Sequence, residues 1–463
     1  MFEKKNMSLL NKKKKPCFFH NFSDFSISYK TLDILNRLGY KKPTIIQRKS
    51  LPYTLLGRDT MVSAKTGSGK TLCFLIPIIE RLLSKNWSNN DTIGACIICP
   101  IRELAIQIFS ICNDITLVHP LKTSIIIGGI KKFTNTNSAI VCTTIGRLCA
   151  EIFMGHNSFL NSLQILTVDE IDQILDLGFK RSFLEIYKHI PKKKQTLLFS
   201  ATLNTRIKDM VSLNLNNPIF LCCGKNIKNK NRNQLKNFYI VPKNIHQYCC
   251  FIDADQKTNF IFSFFLSHPK DKIIVVFSTN KQVSFFFGIF RKLKPNLSVY
   301  QLYGGMKQLE RTTNYISFNQ LQSGILLATD IVSRGLDIKG VDWVIQFDCP
   351  HSIKVYLHRI GRTGRLSEMG RSLILLTKYE YFFFSQLKKF NISIIKIKPR
   401  ETQLIKINSK IKNLLNQEKK FYFKAYDAYI NYARYIFSVQ FKQNPDFTKI
   451  EWKKLGLNYG IYR

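Results

Sequence analysis

The sequence predicts an α/β protein made of two tandem parallel-sheet domains with a short helical C-terminal extension. Three observations carry this. The chain has 463 residues, enough for two domains of ordinary size and an appendage. Two series of short apolar runs alternate with helical patterns, the signature of strands laid parallel by crossover helices. A polar, basic stretch separates the two series, and the last part of the chain carries no such series.

Residues 1–21 are basic and polar, with lysines from Lys12 to Lys15, and read as a disordered tail: a nuclear-targeting patch or a solvated leader. The first domain spans 22–222, with DTMVSA, ACIICP, SIIIG, AIVCTT, LQILTVD and TLLFSAT as its strands. CGKNIKNKNRNQLK, residues 223–236, is the linker. The second domain, 237–395, has KIIVVFST, LSVYQLY, GILLATD, VDWVIQFD and SLILLT. In the extension, 396–463, Tyr422, Tyr426, Tyr429, Ala433 and Ile436 recur at the spacing of one helix face. Such tyrosines could stack on bases, but packing against the second domain is the favoured expectation.

Lys and Arg number 70 against 30 Asp and Glu, a net charge of +40. That excess favours a polyanionic partner and a strong salt dependence. An AT-rich coding sequence would also enrich lysine, so charge alone does not assign a nucleic-acid role. Apolar runs such as CFLIPII and FIFSFFLS are too short to span a bilayer, and no secretory signal opens the chain. The 12 cysteines include one CxxC, Cys96 to Cys99, inside an apolar strand and without a second CxxC. Buried thiols in a reducing compartment are expected, not a zinc site or a disulfide framework.

The strand DTMVSA leads into AKTGSGKT, Ala64 to Thr71, and then into the apolar helix start LCFLIPII. Gly67 and Gly69 let the backbone curl so that successive N–H groups face phosphate oxygens at a helix N-terminus. Lys70 supplies charge for the β and γ phosphates of ATP, and Thr71 a hydroxyl for Mg²⁺. A triphosphatase also needs carboxylates at the end of a neighbouring strand. DEID, Asp169 to Asp172, follows ILTV directly and meets that need, although acidic residues also suit any helix start. Asp169 would hold Mg²⁺ and Glu170 would polarise the attacking water. HRIGRTGR places His358, Arg362 and Arg365 at i, i+4, i+7, so one helical turn would present them together as transition-state charge at an interdomain ATP site.

In order, these motifs resemble those of the DEAD-box ATP-dependent RNA helicases. GYKKPTIIQ, AKTGSGKT, PIRELA, IGG, TIGR, DEID, SAT, LYGGMKQLER, ATDIVSRGLDI and HRIGRTGR carry the likeness, over about 22 to 395. The resemblance implies two RecA-like domains. It implies an ATP site of Tyr40, Gln47, Ala64, Thr66, Gly67, Ser68, Gly69, Lys70, Thr71 and Asp337, with Gln47 on the adenine edge, Tyr40 as a stacking face and Phe22 upstream. RNA contacts fall to Arg102, Gly129, Thr144, Arg147 and Thr329, and coupling to Ser200, Thr202 and His358. Ile171 replaces the family's alanine at a position without chemistry. Ile101, Ile145 and Tyr303 depart from a usual threonine, proline and histidine; the first two fall in phosphate-backbone contacts and bear on RNA grip more than on hydrolysis.

Segments such as KIIVVFSTNKQV, VDWVIQFDCP and KAYDAYINYARYIF resemble the nucleolar ribosome-biogenesis branch, especially the member that releases small nucleolar RNA from pre-ribosomal RNA. The implied setting is the nucleus and nucleolus, with pre-rRNA, small nucleolar RNA and pre-ribosomal assembly proteins as partners, no membrane and a monomeric core. The implied activity is an RNA-stimulated ATPase that locally unwinds short duplexes or remodels RNA–protein complexes. An ATP-gated RNA clamp with little unwinding needs the same motifs.

Overall fold

The computed structural model describes residues 19–64, 67–87, 92–129, 138–156, 158–200, 215–222, 244–330, 336, 338–364, 369–399, 404–440 and 450–461. The chain divides into two compact units, residues 1–240 and 241–463.

The first unit holds a seven-stranded sheet: β1 Thr60–Ser63, β2 Ala95–Cys99, β3 Thr123–Ile126, β4 Ile140–Thr144, β5 Ile165–Val168, β6 Gln195–Ser200 and β7 Ile219–Cys222. Its order is β3-β4-β2-β5-β6-β1-β7, and every pairing is parallel. β1, β2, β4, β5 and β6 are buried at every position, as expected of parallel strands covered on both faces by helices. The strand period of two sorts neighbours into opposite cores. Ile97 and Leu197 pack in one with Phe74 and Phe199, while Ile98 and Leu198 pack in the other with Val168 and Ile171.

The second unit repeats the plan with β8 Ile245–Phe251, β9 Lys272–Val276, β10 Val299–Leu302, β11 Gly324–Ala328, β12 Trp343–Gln346, β13 Gly370–Leu376 and β14 Ile395–Ile397. The order is β10-β11-β9-β12-β13-β8-β14, again parallel throughout. All the apolar runs read as strands form strands. β7, β8 and β14 lie outside those runs. β8 is IHQYCCF, broken by polar residues, and β14 is a largely exposed three-residue edge strand.

The extension packs on the second unit through helices Asn408–Gln417, Lys419–Tyr435 and Trp452–Leu457. Its long helix buries only part of the face the spacing predicts, Tyr429 and Ile436, with Ala433 half-buried. Phe421, Ala425, Ala428, Tyr429 and Tyr432 point inward, while Tyr422 and Tyr426 are exposed. The reason is steric: Phe421 fills the notch left by Gly288 on helix Asn280–Leu293, where a Cβ would lie 2.7 Å from Phe421 Cε1. Aromatic residues all round the helix made several faces look alike. The contact is fastened by Gln282 Nε2 donating to Tyr459 Oη at 2.8 Å and by Thr258 N–H donating to Asn458 Oδ1 at 2.9 Å.

Candidate active site

The phosphate loop leaves β1 at Ala64, whose N–H donates to Ser200 O at 3.0 Å, so the loop's start is stitched to the end of β6. Gly67 and Gly69 both adopt positive φ, +74° and +84°, which only glycine accommodates cheaply. Gly69 is the N-cap of helix Lys70–Ser84, which directs that helix's free N–H groups toward the loop. A Cβ on Gly69 would meet Gln47 Nε2 at 2.8 Å. Gln47 itself is buried, donates from Nε2 to Gly69 O at 2.9 Å, and accepts from Thr44 N–H at 2.8 Å. The residue expected on the adenine edge therefore also braces the phosphate loop against helix Ile45–Thr54. Tyr40 packs partly buried beside the same core, and Phe22 is buried within it.

The carboxylates follow β5. Asp169 N–H still donates to Ile98 O at 3.0 Å, extending the strand ladder by a residue. Glu170 then turns to φ +50°, ψ +47° and caps helix Ile171–Asp176. A left-handed glutamate is strained by roughly 1–3 kcal/mol, and such strain gathers at functional sites. Its N–H donates to Asp169 Oδ1 at 2.9 Å. Its carboxylate accepts from Lys70 Nζ at 3.1 Å and from Gln173 Nε2 at 2.5 Å. DEID is thus a helix start and a reaction-centre candidate at once. Ile171, chemically idle, is fully buried in the core beneath.

Lys70, Asp169, Glu170 and Asp172 are all buried. Burial pushes the Asp169 carboxyl up to about 7; attraction to Lys70 opposes the rise and Glu170 adds to it. Burial alone would lower the Lys70 ammonium, but the attraction of Glu170, Asp169 and Asp172 outweighs it and keeps the pKa above its ordinary value. Lys70 is attracted by the carboxyl groups of Glu170, Asp169 and Asp172, so the cluster is rich in hard oxygen donors. Among the described residues no group of three or more His, Cys, Asp or Glu is placed to hold a metal ion, so a cation of the Mg²⁺ type would be held by one or two of these carboxylates together with water and phosphate oxygens. Cys96 and Cys99 line the neighbouring β2, and burial lifts Cys96 to about 12, consistent with inert strand thiols.

The RNA candidates of this unit gather at the other half of the same sheet edge, at the C-terminal ends of β2, β3 and β4. In doubly wound sheets ligands bind along that edge. Arg102 begins helix Arg102–Thr116 after β2, and its guanidinium lies over Gly128, where a Cβ would come within 2.6 Å of Nη2. Gly129 follows with φ +87°. Thr144 ends β4 and caps helix Ile145–Phe153; Arg147 there pairs with Glu151 at 2.5 Å. Ile145 is buried at the first helical position, and Ile101 packs partly buried against the core.

In the second unit Thr329 directly follows β11, its N–H donating to Leu302 O at 3.2 Å. His358 lies on helix Ile353–Ile360, which stops at Gly361. The expected single turn of His358, Arg362 and Arg365 is therefore corrected: Arg362 lies beyond the helix end. Arg362 is buried and donates from Nη1 to Leu336 O at 2.6 Å. Sequence reasoning missed Arg359, fully buried and forked onto Asp330 at 2.6 and 3.0 Å. It ties the segment after Thr329 to the helix before Arg362. The adjacent arginine in HRIGR and the aspartate of ATD were the available signals. Thr66, Thr202, Asp337 and Arg365 lie outside the described residues.

Residues 44–210 match the DEAD/DEAH box helicase family model, and 256–367 the helicase conserved C-terminal domain. The two matches fall one in each unit, so the first unit carries a DEAD/DEAH box helicase domain and the second a helicase C-terminal domain. It is 35% identical over 446 residues to the human protein described as probable ATP-dependent RNA helicase DDX10, covering 95% of this chain and 50% of that protein. It is 36% identical to the Schizosaccharomyces pombe ATP-dependent RNA helicase dbp4, over 95% of this chain and 59% of that protein. The chain spans about half the length of the curated relatives it matches. Its fold is similar to that of Mss116 bound to single-stranded RNA and AMP-PNP, at TM-score 0.79 and 23% identity over 97% of this chain and 92% of that one. Saccharomyces cerevisiae Dbp5 bound to RNA and ADP BeF3 gives TM-score 0.72 and 20% identity over 86% and 99%. The fold is two tandem RecA-like domains.

Proposed function

We propose that this chain is the motor portion of an ATP-dependent RNA helicase, and one observation carries the proposal: the buried Lys70–Glu170 pair, set between a left-handed glycine loop and a left-handed glutamate. In this reading the loop N–H groups and Lys70 bind the phosphates of ATP. Glu170 orients a water and accepts its proton. Asp169 and Thr71 would hold Mg²⁺, which supplies neutralising charge for the phosphates when bound. Gln47 reads adenine with Tyr40 beside it. Arg362 and Arg365 supply transition-state charge, and Asp337 completes the nucleotide contacts.

Arg102, Gly129, Thr144, Arg147 and Thr329 grip backbone phosphates and 2′-hydroxyls, so the chain selects RNA with little sequence preference. Ser200, Thr202 and His358 couple that grip to hydrolysis, and the cycle locally unwinds short duplexes. The likeness of the extension to that of the nucleolar ribosome-biogenesis branch favours pre-rRNA and small nucleolar RNA as substrates. Pre-ribosomal proteins are the proposed partners and the nucleolus the proposed site of action. Among the described residues no helix is long and apolar enough to cross a membrane.

Strand displacement on a short RNA duplex tests the activity. ATP should support release and a non-hydrolysable analogue should support little. Tight RNA binding with no displacement under either nucleotide would instead make the chain an ATP-gated clamp.

A further inference from the structure

Helix Lys419–Tyr435 has two faces, and packing accounts for one of them. The inward face, from Phe421 to Tyr432, lies in the core of the second unit. On the outward face Lys419, Phe423 and Tyr426 follow an i, i+4, i+7 spacing with Tyr422 beside them, and all four are exposed. Phe423 is 65% exposed, Tyr426 48% and Tyr422 45%, so three large rings share one patch of solvent-facing surface. A contiguous aromatic patch of this kind marks an interaction site more often than a stray surface residue does.

Its electrostatics narrow the partner. Lys419, Lys420 and Arg434 are exposed on the same helix. The carboxylates of this helix and its N-cap are already matched: Glu418 with Lys292 at 2.8 Å and Asp427 with Lys281 at 3.0 Å. What remains is positive charge around flat π faces. An apolar protein groove would strip water from these ammonium groups without returning a counter-charge. A single nucleic-acid strand offers both complements, bases to stack on the rings and phosphates to meet the lysines.

We propose that this outward face is a second single-stranded RNA contact, separate from the helicase motifs. Tyr422, Phe423 and Tyr426 stack bases, and Lys419, Lys420 and Arg434 follow the backbone. Stacking is indifferent to base identity, so the contact adds affinity and not sequence choice. The inference rests on the reading of the chain as an RNA-acting protein.

The test compares the full chain with its Tyr422→Ala/Phe423→Ala/Tyr426→Ala form, using a fluorescent single-stranded RNA oligonucleotide with a non-hydrolysable ATP analogue. RNA affinity should fall roughly ten- to a hundredfold. Thermal midpoint, ATP affinity and RNA-free ATP turnover should not change, because the substituted rings are exposed. Tyr422→Phe/Tyr426→Phe should keep near-parental affinity, since the rings remain. RNA bearing 4-thiouridine should crosslink to peptides from 419–435. Equal RNA affinity in parent and triple variant overturns the proposal, as does a triple variant that loses only self-association. If the parent itself binds no RNA, the helicase reading fails with it, an outcome distinct from a parent that binds RNA and a variant that binds equally well.

Discussion

Lys70 and Glu170 stand 100 positions apart in sequence and meet as a buried pair at 3.1 Å. One is the first residue of the helix behind the phosphate loop, the other the cap of the helix behind β5. β6 separates β1 from β5 in the sheet, so the pair spans two strand spacings across the sheet edge. A buried ion pair adds little net stability. In the proposed reading its meaning is chemical: a phosphate drawn to Lys70 would compete with Glu170 for the same ammonium and free a carboxylate oxygen to accept a proton.

Glu170→Gln keeps the shape of that side chain and removes its basicity. ATP and RNA binding should persist while RNA-stimulated turnover drops by about 10²–10⁴. Steady-state phosphate release and fluorescent-nucleotide binding measure the two separately. Near-normal turnover would remove Glu170 from the role of base.

Lys70→Ala leaves Glu170 buried without its ammonium and should cost about 3–5 kcal/mol in urea unfolding. Adding Glu170→Gln to the same chain should recover most of that loss. Additive losses in the double variant would show that the two side chains are not coupled.

Gly69→Ala asks an L-residue to adopt φ +84° and sets a methyl 2.8 Å from Gln47 Nε2. ATP affinity should fall at least tenfold, with RNA-free folding of the second unit intact. Gln47→Ala removes both the brace and the reciprocal cap with Thr44, at about 1 kcal/mol of stability. Calorimetric titration of ATP into each variant reads the effect, and unchanged affinity in Gly69→Ala would discount the brace.

Phe421→Ala empties the notch over Gly288 and should destabilise the second unit by about 3 kcal/mol, whereas Tyr422→Ala should lie within about 0.5 kcal/mol of the parent. Chemical unfolding of the two variants side by side settles which face of the helix is buried. Equal losses would mean the helix is rotated from the arrangement described.

Much of this was legible in the sequence, for definite reasons. ACIIC and KIIVV are continuous apolar runs because parallel strands are buried on both faces, and the glycines of AKTGSGKT fall where positive φ is needed. The misses share a cause as well. β14 is an exposed edge with no apolar pattern, and IHQYCCF hides its period among polar side chains. The HRIGRTGR spacing suggested a continuous helix because spacing cannot show that Gly361 ends it. The inward face of the extension was decided by a glycine more than a hundred residues earlier, and Gln47's brace on Gly69 by a contact across 22 positions. Local pattern carries no such long-range information.

Arg362→Ala should leave ATP binding in place and abolish the RNA-dependent part of hydrolysis, if its charge serves the transition state. Surviving stimulation in a stably folded variant would exclude that role.

The most direct test of the central claim is the ATP turnover of the intact chain in Mg²⁺ buffer, with and without single-stranded RNA. Turnover should be slow alone, rise markedly on adding RNA, rise little with DNA of the same sequence, and lose the rise in Glu170→Gln. Turnover that is the same with and without RNA, or unaffected by Glu170→Gln, would contradict it.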